Sequence, residues 1–175
     1  MRNALIALLE QAPNSGRIAP LVAELERLQP ADLTQQAAQL EGVWELRWSS
    51  SSQPWLKQSP WLENLQVLDL KHQRGCNLLR LRGSLQDVGA IRVEASLKLV
   101  DHKRVQIEFQ RGGWVGPRLL GHKRLAVMRA VTQSFPAWLD ITVLDDQLRI
   151  CKGNAGTTFA LLRLKKHEHL NHYFD

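Results

Sequence analysis

The sequence predicts a mainly β chain with N-terminal helices: an up-and-down antiparallel β-barrel of about eight strands. Three observations predict it. Apolar side chains recur at helical spacing through the first forty residues. After Gly42 the apolar period changes from about 3.6 to 2. Beyond that point, segments with one apolar face follow one another through short turns, which is how a barrel meander is written in sequence. At 175 residues the chain is expected to form a single domain. Residues 1–40 read as the helical segment, 41–165 as the barrel and 166–175 as a polar tail.

Leu5, Leu8 and Leu9 share one helical face, and Pro13-Asn14-Ser15-Gly16 ends it. Ile18, Leu21, Val22, Leu25 and Leu28 mark a second helix, with Pro20 in the first turn, where proline is tolerated. Pro30 opens a third short helix that runs through Leu40, and Asp32 near its start suits the dipole. The segment "GVWELRW" then places Trp44, Leu46 and Trp48 on one strand face. Pro54-Trp55-Leu56 and Pro60-Trp61-Leu62 argue for a long loop.

Strands resume at Leu65–Leu70 and at Cys76–Arg82, either side of an Arg74-Gly75 turn. From Ala90 to Val100 the alternation is clean. Ile91, Val93, Ala95, Leu97 and Leu99 oppose Arg92, Glu94, Ser96 and Lys98. Val105, Ile107 and Phe109 continue it after the Asp101-His102-Lys103 turn, predicting a long hairpin with one wet face. Gly112–Pro117 reads as a loop. Leu119–Phe135 fits a short helix around Leu125, Met128 and Val131, or an irregular crossing. Three short strands close the chain: Leu139–Leu144, Gln147–Cys151 and Thr157–Leu164.

Hydrophobic residues make up 44% and charged residues 23%, a globular balance rather than a disordered one. The net charge of +6 favours anionic neighbours or serves solubility alone. Cys76 and Cys151 form no metal or redox spacing. The apolar run at the N-terminus is short and ends at Glu10 without a cleavage site, so no signal peptide is expected. No stretch is long enough for a membrane-spanning helix.

Two stretches carry a family resemblance. Leu40-Glu41-Gly42-Val43-Trp44-Glu45-Leu46 is similar to the first-strand L-x-G-x-W-x-L of lipocalin-like barrels. The block from Trp138 to Phe159, "WLDITVLDDQLRICKGNAGTTF", resembles the C-terminal block of the plastid lipid-associated proteins, the plastid fibrillins and their cyanobacterial relatives. It departs from that block at Val143, where tyrosine is usual, and at Lys152, where arginine is usual. Lysine keeps the charge and loses the planar fork.

The resemblance implies a lipocalin-like barrel that binds isoprenoids, carotenoids, quinones or fatty acids. It implies peripheral association with thylakoid lipid and a part in photosynthetic stress protection. No enzymatic chemistry and no cofactor come with it. A chain that starts at its first helix without a transit peptide suits a cyanobacterial member or a mature form. Its expected place is the cytoplasmic face of the thylakoid membrane or the cytoplasm of a cyanobacterium.

In such a barrel Trp44 would plug the floor, with Arg149 stacked over its ring. Leu46 and Trp48 fit either core or pocket wall. Val93, Leu97, Ile107, Phe109 and Phe159 would line the interior. Trp55, Trp61 and Trp114, in proline- or glycine-bearing segments near Lys57, Arg111 and Arg118, fit either a lipid surface or a lid. Asp140, Asp145 and Asp146 read as turn chemistry before acid/base or metal chemistry. His167, His169 and His172 fall in the polar tail. The single Arg111-Gly112-Gly113 is too short to argue for nucleic acid, and none is expected as a partner. The two other readings are a bilin-handling lyase on a related barrel and a filled-barrel module that binds a photosynthetic complex. Ligand identity and oligomeric state are not legible.

Overall fold

A computed structural model of the protein describes residues 1–56, 58–86, 88–118, 124–164 and 170–174. Three helices lead the chain: α1 (Arg2–Gln11), α2 (Ile18–Leu28) and α3 (Leu33–Leu40). The strands that follow are β1 (Gly42–Ser49), β2 (Leu62–Asp69), β3 (Arg74–Leu81), β4 (Ala90–Leu99), β5 (Arg104–Arg118), β6 (Arg124–Ala130), β7 (Ala137–Leu144), β8 (Leu148–Gly153) and β9 (Thr158–Arg163). The order β4-β3-β2-β1-β9-β8-β7-β5 closes through a β4–β5 pairing, so eight strands form an antiparallel barrel. Closure leaves these strands without a free edge.

β6 stands outside that ring. The first part of β5 pairs with β7 and the second part with β6. This corrects the expected loop over Gly112–Pro117, which is strand, and the expected helix around Leu125, Met128 and Val131, of which Arg124–Ala130 is strand. Residues 119–123 lie outside the described residues. The upper half of β5 would otherwise present unpaired backbone groups, and β6 takes them. Gly113 permits the approach, because a Cβ there would run into the carbonyl of Val127. Gln133 then bridges the gap between β6 and β7. Its side chain accepts from Phe109 N (2.7 Å) and donates to the carbonyls of Ile107 (3.2 Å) and Phe135 (2.7 Å).

The helices dress one side of the barrel. Leu5 and Leu9 of α1 and Ile18, Val22 and Leu25 of α2 pack on the outer face of β7, β8 and β9, against Val143, Leu148, Ile150 and Ala160. β8 is therefore buried on both faces from Leu148 to Cys151. Arg47 on β1 fixes the end of α1 by donating to the carbonyls of Leu9 (2.9 Å) and Glu10 (3.1 Å), a cation set at a helix C-terminus. Arg2 at the other end holds Asp145 of the β7–β8 turn in a bidentate pair (2.6 and 2.8 Å).

The opposite outer face is covered by the C-terminal segment. The described part of the expected polar tail, 170–174, includes a 3-10 helix (Leu170–Tyr173) folded back on the sheet. Tyr173 joins Val43, Leu65, Val67, Cys76, Leu78 and Ala90 in an outer cluster. Its carbonyl accepts from Arg92 Nη1 at 3.2 Å, and Arg74 stacks on Phe174 at 4.1 Å. The expected wet face of β4 is thus covered at Arg92 and Glu94, both buried. Arg92 and Glu94 lie 2.9 Å apart as an ion pair, which is the condition for burying charge.

Both cysteines are free and buried. Burial pushes the Cys76 thiol up to about 12 and raises that of Cys151, and a thiol so held is a poor nucleophile. In the native protein at pH 8, both should react with Ellman's reagent at least tenfold more slowly than in denaturant. Cys76 Sγ lies 3.7 Å from the Tyr173 carbonyl. Truncation after Leu164 should therefore expose Cys76 alone. Equal reaction of both thiols in the truncated chain would show that the tail is not a separate cover.

Candidate functional site

The site is the barrel interior, built from its floor upward. Asp32 caps α3 by accepting from Thr34 N (2.9 Å), while Asp32 N donates to Gln36 Oε1 (2.8 Å). Backbone bonds from Ala31 N to the Thr142 carbonyl (2.9 Å) and from Leu33 N to the His102 carbonyl (2.6 Å) moor α3 across one end of the barrel. Its last carbonyls face inward. Trp44 Nε1 donates to Leu40 O at 2.9 Å. Arg163 donates to the carbonyls of Gln39 and Glu41. Gly42 makes the turn between α3 and β1 with φ of +139°, and a Cβ there would collide with the Arg163 guanidinium. Glycine is required at that position on both counts.

Trp44 is fully buried and carries two cations on its ring: Arg163 at 4.2 Å and Arg149 at 5.0 Å. Arg163 has carbonyl partners. Arg149 is different. It is 0% exposed, its Nη2 donates to Gln66 Oε1, and its Nε and Nη1 have no hydrogen-bond partner among the described residues. Desolvation, with Arg163 adding to it, pulls its pKa down to about 10. A buried guanidinium without a carboxylate is costly to the fold.

Above this floor lies a cavity of about 650 Å³, within the range of roughly 300–1,000 Å³ common for ligand pockets. Leu46, Val93, Ile107, Phe109 and Phe159 line it, and Leu97 lines a smaller recess of about 40 Å³ that shares several walls with it. Trp44 and Arg149 lie in the floor rather than the wall. Trp48 is a correction. A bulge in β1 between Leu46 and Trp48 shifts the pairing with β9, so Leu46 faces Leu161 but Trp48 faces Ala160. The extra residue reverses side-chain parity. Trp48 thus packs outside the barrel with the α1 and α2 cluster. A matching bulge in β7 between Ile141 and Val143 sends Val143 outward to the same cluster.

Besides Ser51, Gln53, Asn154 and Thr157 in connecting segments, three polar strand residues that sequence patterning missed line the cavity: Asn64 and Gln66 on β2 and Asn77 on β3. Their signal was alternation with Leu65, Val67, Cys76 and Leu78, read for apolar content alone. No acidic, basic, histidine or cysteine side chain belongs to the described lining of the main cavity.

The remaining candidates are structural in placement. Asp140 takes a bidentate pair from Arg104 (2.7 and 2.9 Å), and Arg104 also stacks on Trp138 at 4.0 Å. Asp145 accepts from Gln147 N and Leu148 N, the expected turn role. Among the described residues no group of three His, Cys, Asp or Glu could hold a metal. His167 and His169 lie outside the described residues, as do Lys57 and the side chains of Trp55 and Arg118. Trp61 is 76% exposed and Trp114 44% exposed. Trp114 sits on strand rather than in a loop, its ring over Gly89 and Gly116. No helix among the described residues is long and apolar enough to cross a membrane.

A closed antiparallel barrel with a plugged floor, three leading helices and an apolar interior is a lipocalin-like barrel. Residues 7–162 match the PAP_fibrillin family model, and the chain belongs to that family, the plastid lipid-associated proteins or fibrillins. Searches of curated proteins and of solved structures return no match.

The floor residues should separate in stability. Trp44→Ala, which empties the floor, is expected to cost about 3–5 kcal/mol in urea denaturation. Arg149→Met, which exchanges an unsatisfied cation for an apolar chain of similar length, should change stability by no more than about 1 kcal/mol or raise it. A loss above about 3 kcal/mol would make Arg149 a structural support instead.

Proposed function

We propose that the protein is a non-enzymatic carrier. It would hold a small hydrophobic molecule in the barrel (an isoprenoid, carotenoid, quinone or fatty acid) and rest peripherally on thylakoid lipid, in a role linked to photosynthetic stress protection. The observation that carries this reading is the cavity of about 650 Å³ with walls of Leu46, Val93, Ile107, Phe109 and Phe159. Burying apolar ligand surface there is worth roughly 25 cal/mol per Å² before ordering costs. The family supports the lipid-associated part of the reading. A lyase would need convergent acid and base groups, which the described lining does not supply. A filled barrel acting only through its surface would leave no such volume.

The opening of the barrel supports membrane contact. Exposed apolar side chains gather at the end where β2 begins, β3 ends and β4 begins: Trp61, Leu81, Leu85, Val88 and Ile91. Trp114 and Val127 pair in register beside Ile91 on the same sheet face. Ile91 and Phe135 belong both to this exposed set and to the cavity wall. A patch of this kind suits a lipid surface, and the net charge of +6 adds attraction to anionic headgroups.

Diphenylhexatriene titrated into the delipidated protein should show saturable binding. Val93→Trp, which fills the cavity opposite Gly112, should weaken it at least tenfold without loss of fold by circular dichroism. Absence of binding to the unaltered protein, with no lipid in organic extracts of it, would remove the carrier reading. Sedimentation with vesicles of phosphatidylcholine and phosphatidylglycerol tests the second half. The double variant Trp61→Ala, Trp114→Ala should lower partitioning at least fivefold, and unchanged partitioning would place the contact elsewhere.

A further inference from the structure

The polar residues that line the cavity fall into two groups: Ser51, Gln53, Asn154 and Thr157 in connecting segments, and Asn64, Gln66 and Asn77 on β2 and β3. Asn64 and Gln66 are successive inward positions of β2, and Asn77 of β3 stands directly opposite Gln66 in register. Gln66 also pairs with Trp44 across β1, so it sits immediately above the floor. Gln66 and Asn77 continue into the small recess, whereas Ile91 and Phe135 mark the mouth. Gln66 and Asn77 thus stand at the closed end, while the exposed apolar Ile91 and Phe135 and the polar Ser51, Gln53, Asn154 and Thr157 line the cavity farther from the floor.

We propose that this closed end is a head-group site: it takes the hydrogen-bond-accepting oxygen of an amphiphile, a carbonyl or a carboxylate, whose chain runs toward the mouth. The inference rests on the carrier reading and adds to it a polarity and an orientation. Arg149 decides the sign. A guanidinium can only donate, so the Gln66 atom that meets it is the carbonyl oxygen. The Gln66 amide nitrogen is left as the donor group of that side chain, and among the described residues no protein acceptor takes it. Arg149 itself is sealed behind Gln66, and among the described residues its Nε and Nη1 have no hydrogen-bond partner and no carboxylate pairs with it. Its charge is felt across a buried floor, where electrostatic effects are strong and hydrogen-bond chains reinforce one another. A cation behind an amide makes that amide a better donor. An electron-rich oxygen gains from this arrangement, and a cationic or donor-only head group does not. Arg149 here is a positioning residue that acts through Gln66.

The experiment compares three probes on the full chain: cis-parinaric acid, decyl-plastoquinone and diphenylhexatriene, which has no head group. Gln66→Leu and Asn77→Leu should each weaken the acid, the quinone or both at least tenfold while diphenylhexatriene stays within twofold. Gln66→Glu separates the two head groups: it should reject the acid at pH 8 far more than the quinone. The Asn77 side chain makes no hydrogen bond among the described residues, so Asn77→Leu carries the test if Gln66→Leu fails to fold. Equal loss for all three probes, or no loss for any, would overturn the head-group site and leave the carrier reading standing. Failure of every probe to bind the unaltered protein would overturn the carrier reading itself.

Discussion

The contact between Trp44 and the end of α3 sets the geometry of everything above it. One indole fills the barrel floor, its N–H closes on the Leu40 carbonyl, and Arg163 stacks on its ring while holding the carbonyls on either side. A helix end buried without partners would be costly. Here the first strand and the last strand supply those partners. β1 and β9 are neighbours in the barrel, so the same contact that caps the helix also joins the two ends of the meander. Gly42 belongs to this arrangement, because only a residue without Cβ leaves Arg163 its place. The last carbonyls of the helix, at Gln39, Leu40 and Glu41, are thus satisfied within the chain.

Above the floor, two bulges decide which side chains see the cavity. The extra residue in β1 turns Trp48 out, and the extra residue in β7 turns Val143 out. Both go to the outer cluster beneath α1 and α2. The bulges therefore solve two problems together. They give the helices an apolar surface to cover, and they take a tryptophan out of a volume that it would have filled. A cavity of about 650 Å³ in a small barrel is widened by such omissions, since a ring of about eight strands has room for its own packed side chains or for one small ligand.

Much of this was legible in the sequence, and the misses have physical causes. The switch at Gly42 from helical to alternating period located β1, and the Trp138 to Phe159 block located β7, β8 and β9 closely. Trp44 and Arg149 were readable as a stacked pair from parity and resemblance together. Trp48 was not readable, because a bulge leaves no mark in alternation until the partner strand is known. β6 was missed because Leu125, Met128 and Val131 satisfy a helical spacing, while the demand for a strand came from the unpaired half of β5, which is a tertiary fact. Arg92 and Glu94 looked solvated because each is charged. Their burial depends on the segment of residues 170–174, distant in sequence, folding back over them.

The interior polar residues connect the floor to function. Gln66 touches Trp44 through the β1–β2 register, Asn77 through the β2–β3 register, and Arg149 through its carbonyl oxygen. It is the point at which the sealed floor meets the open cavity. A floor made only of Trp44, Leu144 and Leu161 would close the barrel equally well. Adding a guanidinium two of whose nitrogens find no acceptor among the described residues makes that floor less stable, since desolvating a cation is unfavourable wherever no anion compensates. What it adds is a fixed positive potential beneath a fixed amide, at the end of the cavity farthest from solvent. Under the head-group proposal, such a device would discriminate between hydrocarbons that differ only at one terminus. The apolar stretches of the wall would add little to that discrimination, because apolar contacts grade ligands by size and little else.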